Sequence, residues 1–268
     1  MASPRSFETR HPVAFALSST LGWLVLALVF TGVASLVLGA PYGGAATLTA
    51  GRLAAAACTL LLIWRLGWLG ASGVTRVGRG RIWLLAVAGL VYIAGASLYW
   101  FYGGLAFDGS RLLHRPEARA AVLAQLGAGL SEEILFRGLV LCGLVRAWGQ
   151  TRRGIIKAVL VTSLIFAVLH LTQIASAGLS PSGAGLLALQ TCVIAVWWGA
   201  LVVAGGSIWP AVLLHSVGNA VVAVRGLDAA LAKSDAAAYA GLLCFSLPLG
   251  ALAIALLRKA APSGHAGR

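Results

Sequence analysis

Acidic residues are scarce in this chain of 268 residues, which contains 7 Asp and Glu against 20 Lys and Arg. Charged residues make up 10% of the sequence, whereas they make up about 25% of a typical soluble domain. Hydrophobic residues make up 60%, and the mean hydropathy is +0.92. This composition excludes a disordered chain, a secreted disulfide scaffold and a cytosolic enzyme, and it predicts an integral membrane protein.

Paired cysteines and a continuous basic surface are also missing. The four cysteines lie far apart within apolar segments and form no CxxC pair, which excludes a disulfide framework and a cysteine zinc cluster. The formal net charge is +13, but the basic residues lie mostly at the ends of apolar segments. That distribution is typical of membrane topology signals, so we expect a lipid bilayer and no nucleic acid among the partners.

Long apolar segments dominate the chain. A bilayer core requires about 20 apolar residues per helix, and breaks rich in Gly, Pro and charge divide the sequence. The predicted spans are 13–38, 45–69, 82–107, 118–147, 155–177, 184–204, 208–224 and 237–257. We therefore predict an all-α, polytopic membrane helix bundle of about eight transmembrane helices. A single membrane domain, 13–257, would lie between an N-terminal tail, 1–12, and a C-terminal tail, 258–268.

Basic residues are distributed unequally between the two sides of this predicted bundle. With the N-terminus inside, the inner segments hold twelve Lys and Arg and the outer segments hold five. The positive-inside rule then places both tails in the cytoplasm, and the Ala, Gly and Arg-rich composition is typical of a bacterial inner membrane protein. Two arginines within spans, Arg65 and Arg52, are expected to reach the inner and the outer surface respectively.

Three charged residues interrupt the fourth predicted span: Glu132, Glu133 and Arg137. Each charge at mid-bilayer costs roughly 3 kcal/mol on insertion scales, so the group needs a compensating reason. Glu133 and Arg137 are separated by four residues and can pair along one helix face. A structural ion-pair network explains these two better than it explains Glu132, which lies about 100° away around the helix.

Two histidines are isolated in apolar spans, His170 and His215. Glu132 and His170 are each nineteen residues from Thr151, at the centre of the loop between spans four and five. Equal distance from the turn means equal depth in an antiparallel helix pair, so we predict that Glu132 and His170 face each other. His215 shares a helix face with Asn219, although a simple depth count places His215 nearer the cytoplasmic end.

This set of side chains favours amide hydrolysis. A carboxylate facing an imidazole can take a proton from water and return it to a leaving amine, and a second histidine with an asparagine can hold the oxyanion. Alternatively, Glu132, His170 and His215 could bind a zinc ion, and the residues do not decide between these possibilities. An HExxH site and an intramembrane aspartate pair are absent. Ser72 lies in a GxSG sequence, as in rhomboid proteases, but a basic loop follows it.

Three polar motifs follow one another in the apolar spans. They are EExxxR at 132–137, FxxxH at 166–170 and HxxxN at 215–219. In this order they resemble the motifs of the CPBP family, which comprises the type II CAAX prenyl endopeptidases and bacterial CAAX protease-like or bacteriocin-processing proteins. The resemblance implies an intramembrane endopeptidase. The implied roles fall to three pairs: Glu132 and His170 activate water, Glu133 and Arg137 organise the first motif, and His215 and Asn219 hold the oxyanion.

The same resemblance sets the expectations for cofactor and substrate. Family members have been described as metalloproteases and as metal-independent glutamate proteases, so zinc is the cofactor left open, and no cofactor is certain. The expected substrate is a membrane-tethered or hydrophobic peptide or protein, without the prenylated target of the eukaryotic members. We expect the cavity to open toward the cytoplasm, because the basic loops lie there and His215 was placed nearer that side.

A second hypothesis makes the protein non-catalytic. It would then be an immunity or peptide-binding protein, or a small transporter that uses Glu132 as a proton relay. A relay requires protonatable groups that reach both faces of the membrane. Spans one, two, three, six and eight contain no acid or histidine, which disfavours the transporter.

Overall fold

All regular elements of the described residues are helices. The computed structural model describes residues 6–102, 116–171, 180–225 and 236–261. The α-helices are α1 (Phe7–Arg10), α2 (Pro12–Leu38), α3 (Ala45–Arg65), α4 (Gly80–Tyr102), α5 (Pro116–Glu133), α6 (Cys142–Trp148), α7 (Arg152–His170), α8 (Pro181–Gly205), α9 (Trp209–Arg225) and α10 (Ala236–Arg258). A π-helical stretch, Ile134–Leu141, joins α5 to α6. The predicted all-α fold is confirmed.

Six helical segments within the described ranges are long and apolar enough to cross a membrane. They are Pro12–Leu38, Ala45–Arg65, Gly80–Leu98, Arg152–His170, Pro181–Gly205 and Tyr239–Arg258. The two other predicted spans correspond to the continuous helical segment 116–148, which carries interior charges, and to the shorter helix α9. The structure therefore agrees with a bundle of about eight membrane helices.

The observed helix ends differ from the predicted spans at several places. Helix α3 ends at Arg65 and not at 69, because Gly67 adopts a left-handed conformation with φ of 70°, which favours glycine and stops a helix. The predicted ends of the third and fifth spans, at 107 and 177, lie outside the described residues, as do parts of both predicted tails, 1–5 and 262–268.

Large apolar side chains face outward along the predicted spans. On α2 these exposed residues are Val13, Leu17, Leu21, Val25, Leu26, Leu28, Val29, Val33, Leu36, Val37 and Leu38. An apolar surface of this extent would be a liability in water. Together with the length of the helices, it identifies the chain as an integral membrane protein.

The π-helical stretch is an irregularity within the longest continuous helical segment. All eight of its residues are buried, and they include Arg137. Such stretches are rare and occur frequently at functional sites. No residue in ILFRGLVL gave a sequence signal for it.

The start of α9 is enclosed by protein. The loop 66–79 folds over it: the indole nitrogen of Trp209 donates to the carbonyl of Val74 at 2.9 Å, and the backbone N–H of Ile208 donates to the carbonyl of Gly73 at 3.4 Å. Ser207 and Ile208 are fully buried. The loop 66–79 covers the start of α9, so this helix of 17 residues begins inside the bundle. His215 therefore lies deeper than the depth count predicted.

Candidate active site

One cavity brings four of the predicted site residues together. It has a volume of about 320 Å³, and Glu132, His170, His215 and Asn219 are among its lining residues. Helix α5 supplies Glu132, the last residue of α7 is His170, and α9 supplies the other two. The remaining predicted site residues, Glu133 and Arg137, are buried beside it.

Glu133 is the centre of a buried polar cluster. Its Oε1 atom lies 3.1 Å from Nη1 of Arg137 and 2.9 Å from Nδ1 of His215. The side chains of Glu133 and Arg137 are 0% exposed. The expected ion pair is therefore present, and it also fixes a histidine from another helix, which the sequence did not predict.

Arg137 is held on several sides. Besides Glu133, its Nη2 atom donates a hydrogen bond to the carbonyl of Ala195 at 3.2 Å. The guanidinium carbon lies 5.0 Å from the ring centre of Phe166 and 5.5 Å from that of Trp198, within the range of a cation–π contact. The guanidinium thus ties the π-helical stretch to α7 and α8.

The hydrogen bond to Glu133 determines which nitrogen of His215 faces the cavity. A carboxylate can only accept, so Nδ1 carries the proton. The other nitrogen, Nε2, lies 3.8 Å from Oε2 of Glu132. Glu132 is 19% exposed, in contrast to the enclosed Glu133. The two adjacent glutamates thus contact opposite nitrogens of one imidazole ring.

His170 has a different orientation. Its Nδ1 atom donates to the backbone carbonyl of Phe166 at 2.9 Å, which leaves Nε2 free to accept in the neutral ring. His170 and Glu132 line the same cavity, but the histidine nitrogen found next to the Glu132 carboxylate is Nε2 of His215. That a single water bridges Glu132 and His170 stays a prediction.

Aromatic rings form the wall behind the histidines. Trp198 stacks on His215, with ring centres 4.6 Å apart and planes at 22°. Phe166 meets His170 at 4.5 Å and His215 edge-on at 5.7 Å. Sequence reasoning found Phe166 through its motif but missed Trp198, for which the tryptophan pair in VWWGA was the available signal.

The cavity lies in the half of the bundle farther from the chain termini. Its lining includes residues from the first half of α8, such as Leu187 and Gln190, and from the second half of α9, such as Val221 and Val222. These positions lie toward the N-terminal end of α8 and the C-terminal end of α9. The lining residues favour an opening on that side in place of the one expected toward the tails, and the direction of opening stays a prediction.

Further polar residues in the cavity were missed. Gln190 donates from Nε2 to the hydroxyl of Tyr92 at 2.6 Å, and Gln125 and Arg52 also line the cavity. Arg52 was expected to extend to the outer surface. Its charge within an apolar span was the signal that could have placed it in a functional site.

A metal site in a protein requires several donor side chains grouped around one point. Among the described residues, no three His, Cys, Asp or Glu side chains are grouped so that they could hold one. Glu132 and His215 approach each other, but His170 does not complete a triad with them. Whether Glu132, His170 and His215 bind zinc, the alternative that the sequence left open, stays a prediction.

The GxSG serine is not part of the site. Ser72 is 2% exposed and donates its hydroxyl hydrogen to the carbonyl of Leu69 at 2.9 Å. It is missing from the residues that line the cavity, all of which belong to the described ranges. The buried position of Ser72 in the loop 66–79 agrees with the basic sequence that follows it, which is not typical of a rhomboid site.

A comparison with protein families gives the same assignment as the motifs. Residues 115–221 match the family model described as type II CAAX prenyl endopeptidase Rce1-like. These residues are therefore similar to an Rce1-like domain. The match covers less than half of the chain, and it contains all three motifs and every predicted site residue. It supports a membrane protease. No significant match to a curated protein or to a solved structure was found.

Proposed function

We propose that the protein is an intramembrane endopeptidase in which Glu132 activates a water molecule for attack on a peptide bond. The observation that carries this proposal is the contrast between the two adjacent glutamates. Glu133 is fully enclosed and paired with Arg137, whereas Glu132 faces the cavity beside Nε2 of His215. Only the second arrangement leaves a carboxylate available to a substrate.

The proposed reaction starts with a water molecule between Glu132 and His170. Glu132 removes one proton, and Nε2 of His170 accepts a hydrogen bond that orients the water. The water oxygen forms a bond to the carbonyl carbon, and the carbonyl oxygen becomes an oxyanion. When the tetrahedral intermediate collapses, the C–N bond breaks and the proton held by Glu132 passes to the leaving amine. The products are a carboxylic acid and an amine, and transfer of the acid's proton through solvent converts them into a carboxylate and an ammonium group.

His215 and Asn219 are proposed to hold the oxyanion. The amide N–H of Asn219 can donate directly, whereas His215 can donate from Nε2 only when the ring is protonated, because Nδ1–H is bound to Glu133. Glu133 can stabilise the positive charge of that ring. It thereby acts on His215 as the buried carboxylate acts on the histidine of a serine protease triad.

These steps use side chains alone, and we propose that no metal is required. Prolonged treatment with a chelator should leave the rate of peptide cleavage unchanged. Loss of activity that returns on addition of zinc would contradict this point. It would show that Glu132, His170 and His215 move together when a metal binds.

The proposed substrate is a hydrophobic or membrane-tethered peptide or protein. The cavity is lined by apolar residues such as Ile93, Ile194, Leu214 and Leu249 around the polar group. A largely apolar peptide can therefore bury its side chains there while its scissile carbonyl lies near Glu132.

The direct test is incubation of the purified protein with a peptide library, with the products identified by mass spectrometry. Wild type should yield products whose summed mass exceeds the substrate by one water, and Glu132→Gln should yield none while it elutes and melts like wild type. Glu117→Gln is the matched control, because Glu117 is an exposed acid at the start of the same helix. Binding without cleavage by wild type would support the peptide-binding hypothesis and contradict the proposed enzyme.

A further inference from the structure

We propose that Arg52 binds a carboxylate of the peptide substrate and so determines which peptides the cavity accepts. The inference rests on the proposed function and names the substrate class of the same site. The carboxylate would be a C-terminus or an Asp or Glu side chain near the scissile bond.

Arg52 differs from the other arginines of the membrane helices. Arg137 is paired with Glu133, and Arg65 lies against Trp64. Arg52 is half-buried in α3 and lines the cavity. Within the described ranges it has no ion pair, hydrogen bond or ring contact. Because a charged arginine within a membrane span is energetically costly, a position without a partner requires another explanation.

The depth of Arg52 can be obtained from the contacts between α3 and the segment 116–148. A Cβ atom at Gly127 would lie 3.4 Å from Cγ2 of Thr49, and one at Gly138 would lie 3.2 Å from Cδ1 of Ile63. The two segments therefore run in the same direction. Arg52, three residues beyond Thr49, lies near the level of residue 130, roughly 3 Å along the helix axis from Glu132 at 1.5 Å per residue.

This position suits recognition of a substrate and not catalysis. A guanidinium group binds a carboxylate through two parallel hydrogen bonds, which are strong in a site with little water. An extended peptide advances about 3.3 Å per residue, so the bound carboxylate would lie within a few residues of the scissile bond. Gln125, also on the cavity wall, offers a further amide donor.

The test measures binding and does not need cleavage. In the Glu132→Gln background, a fluorescent apolar peptide with a free C-terminal carboxylate is compared with its C-terminal amide. A second pair differs by Asp or Asn at one internal position. We expect the acidic member of one pair to bind at least about tenfold more tightly than the neutral member, which corresponds to about 1.4 kcal/mol. The pair that shows this difference identifies the source of the carboxylate.

Substitution at Arg52 completes the test. In Arg52→Gln the preference for the acidic peptide should disappear while the amide peptide binds as before, and Arg52→Lys should retain part of it. Arg65→Gln, at the end of the same helix, should keep the full preference. Equal binding of acidic and neutral peptides by protein with Arg52, or a preference that persists in Arg52→Gln, would overturn the proposal. If Arg52→Gln does not fold, the first comparison alone decides.

The outcome is independent of the peptidase activity. If the preference for acidic peptides depends on Arg52 but the protein cleaves no peptide, the proposed binding site is supported and the proposed peptidase activity is contradicted. Cleavage that depends on Glu132, without any acid preference, would refute only the role of Arg52.

Discussion

At the residue scale, Glu132 and Glu133 are neighbours in sequence with different surroundings. Successive helix residues point about 100° apart, so one side chain enters the cavity and the other enters the core of the bundle. Glu133 holds Arg137 and His215, whereas Glu132 is partly exposed beside His215. Of these two glutamates, Glu133 thus positions other side chains, and Glu132 is the proposed catalytic residue.

This difference predicts opposite behaviour of two conservative variants. Glu132→Gln should retain the melting temperature of wild type and lose activity by about 100- to 10,000-fold, the usual contribution of a general base. Glu133→Gln should lower the melting temperature, because it leaves the buried Arg137 without a counter-charge. Thermal unfolding in detergent and initial cleavage rates measure both effects. A stable Glu133→Gln variant would show that the ion pair does not organise the site.

Arg137 is predicted to be mainly structural. Removal of one partner from a buried ion pair costs about 3 to 5 kcal/mol, so Arg137→Ala should reduce stability as well as activity. The control is Arg65→Ala, which removes an arginine from a helix end where it contacts Trp64, and it should melt close to wild type. An Arg137→Ala protein that is as stable as wild type but inactive would instead indicate a direct role in substrate binding.

Much of this site could be predicted from isolated polar residues in apolar segments. Such residues are costly in a membrane, so a polar side chain within an apolar segment is itself a signal. This signal was sufficient to identify Glu132, Glu133, Arg137, His170 and His215. The bond between Glu133 and His215 was not predictable, because it joins residues 82 positions apart and depends on how deeply α9 starts. That depth is set by the fold of the loop 66–79, which carries no periodic pattern.

At the element scale, α5 and α9 approach each other at a glycine. A Cβ atom at Gly129 would lie 2.6 Å from the hydroxyl oxygen of Ser216 and 2.8 Å from its backbone nitrogen. The hydroxyl of Ser216 also donates to the carbonyl of Leu126 at 3.3 Å. Because Ser216 follows His215, this close contact sets the distance between His215 and the glutamates.

Gly129→Ala should therefore impair the site without altering any polar group. The added methyl group must push α9 away from α5, and overpacking of this kind costs roughly 1 to 3 kcal/mol. We expect a lower melting temperature and a reduced cleavage rate. Gly127→Ala is the control two residues away, since its nearest neighbour would be Cγ2 of Thr49 at 3.4 Å, an ordinary contact. Equal behaviour of both variants would contradict this account of the helix contact.

At the scale of the whole molecule, the predicted topology puts most of the basic charge on the side opposite the cavity. In that topology the side of the tails carries twelve of the basic residues outside the spans and the other side carries five, which predicts cytoplasmic tails. The cavity lies in the half farther from the tails. The eight spans and the unequal distribution of basic residues could be predicted from the sequence. The position of the cavity could not, because it depends on the contacts between helices.

These two observations predict that the cavity is reached from the non-cytoplasmic side. In a variant without the native cysteines, a cysteine at Val222, which lines the cavity, should react with a membrane-impermeant maleimide added to intact cells. A cysteine at Val77, exposed in the loop 66–79, should react only after the membrane is opened. The reverse pattern would place the cavity on the cytoplasmic side.

The central claim, that water activated by Glu132 attacks the peptide bond directly, is tested by cleavage of one defined peptide in ¹⁸O-labelled water. Intact-mass measurements of the protein are made during turnover. The account predicts one ¹⁸O atom in the new carboxylate, no increase in the mass of the protein, and loss of the reaction in Glu132→Gln but not in Glu117→Gln. A covalent peptide adduct on the protein, or undiminished cleavage by Glu132→Gln, would contradict it.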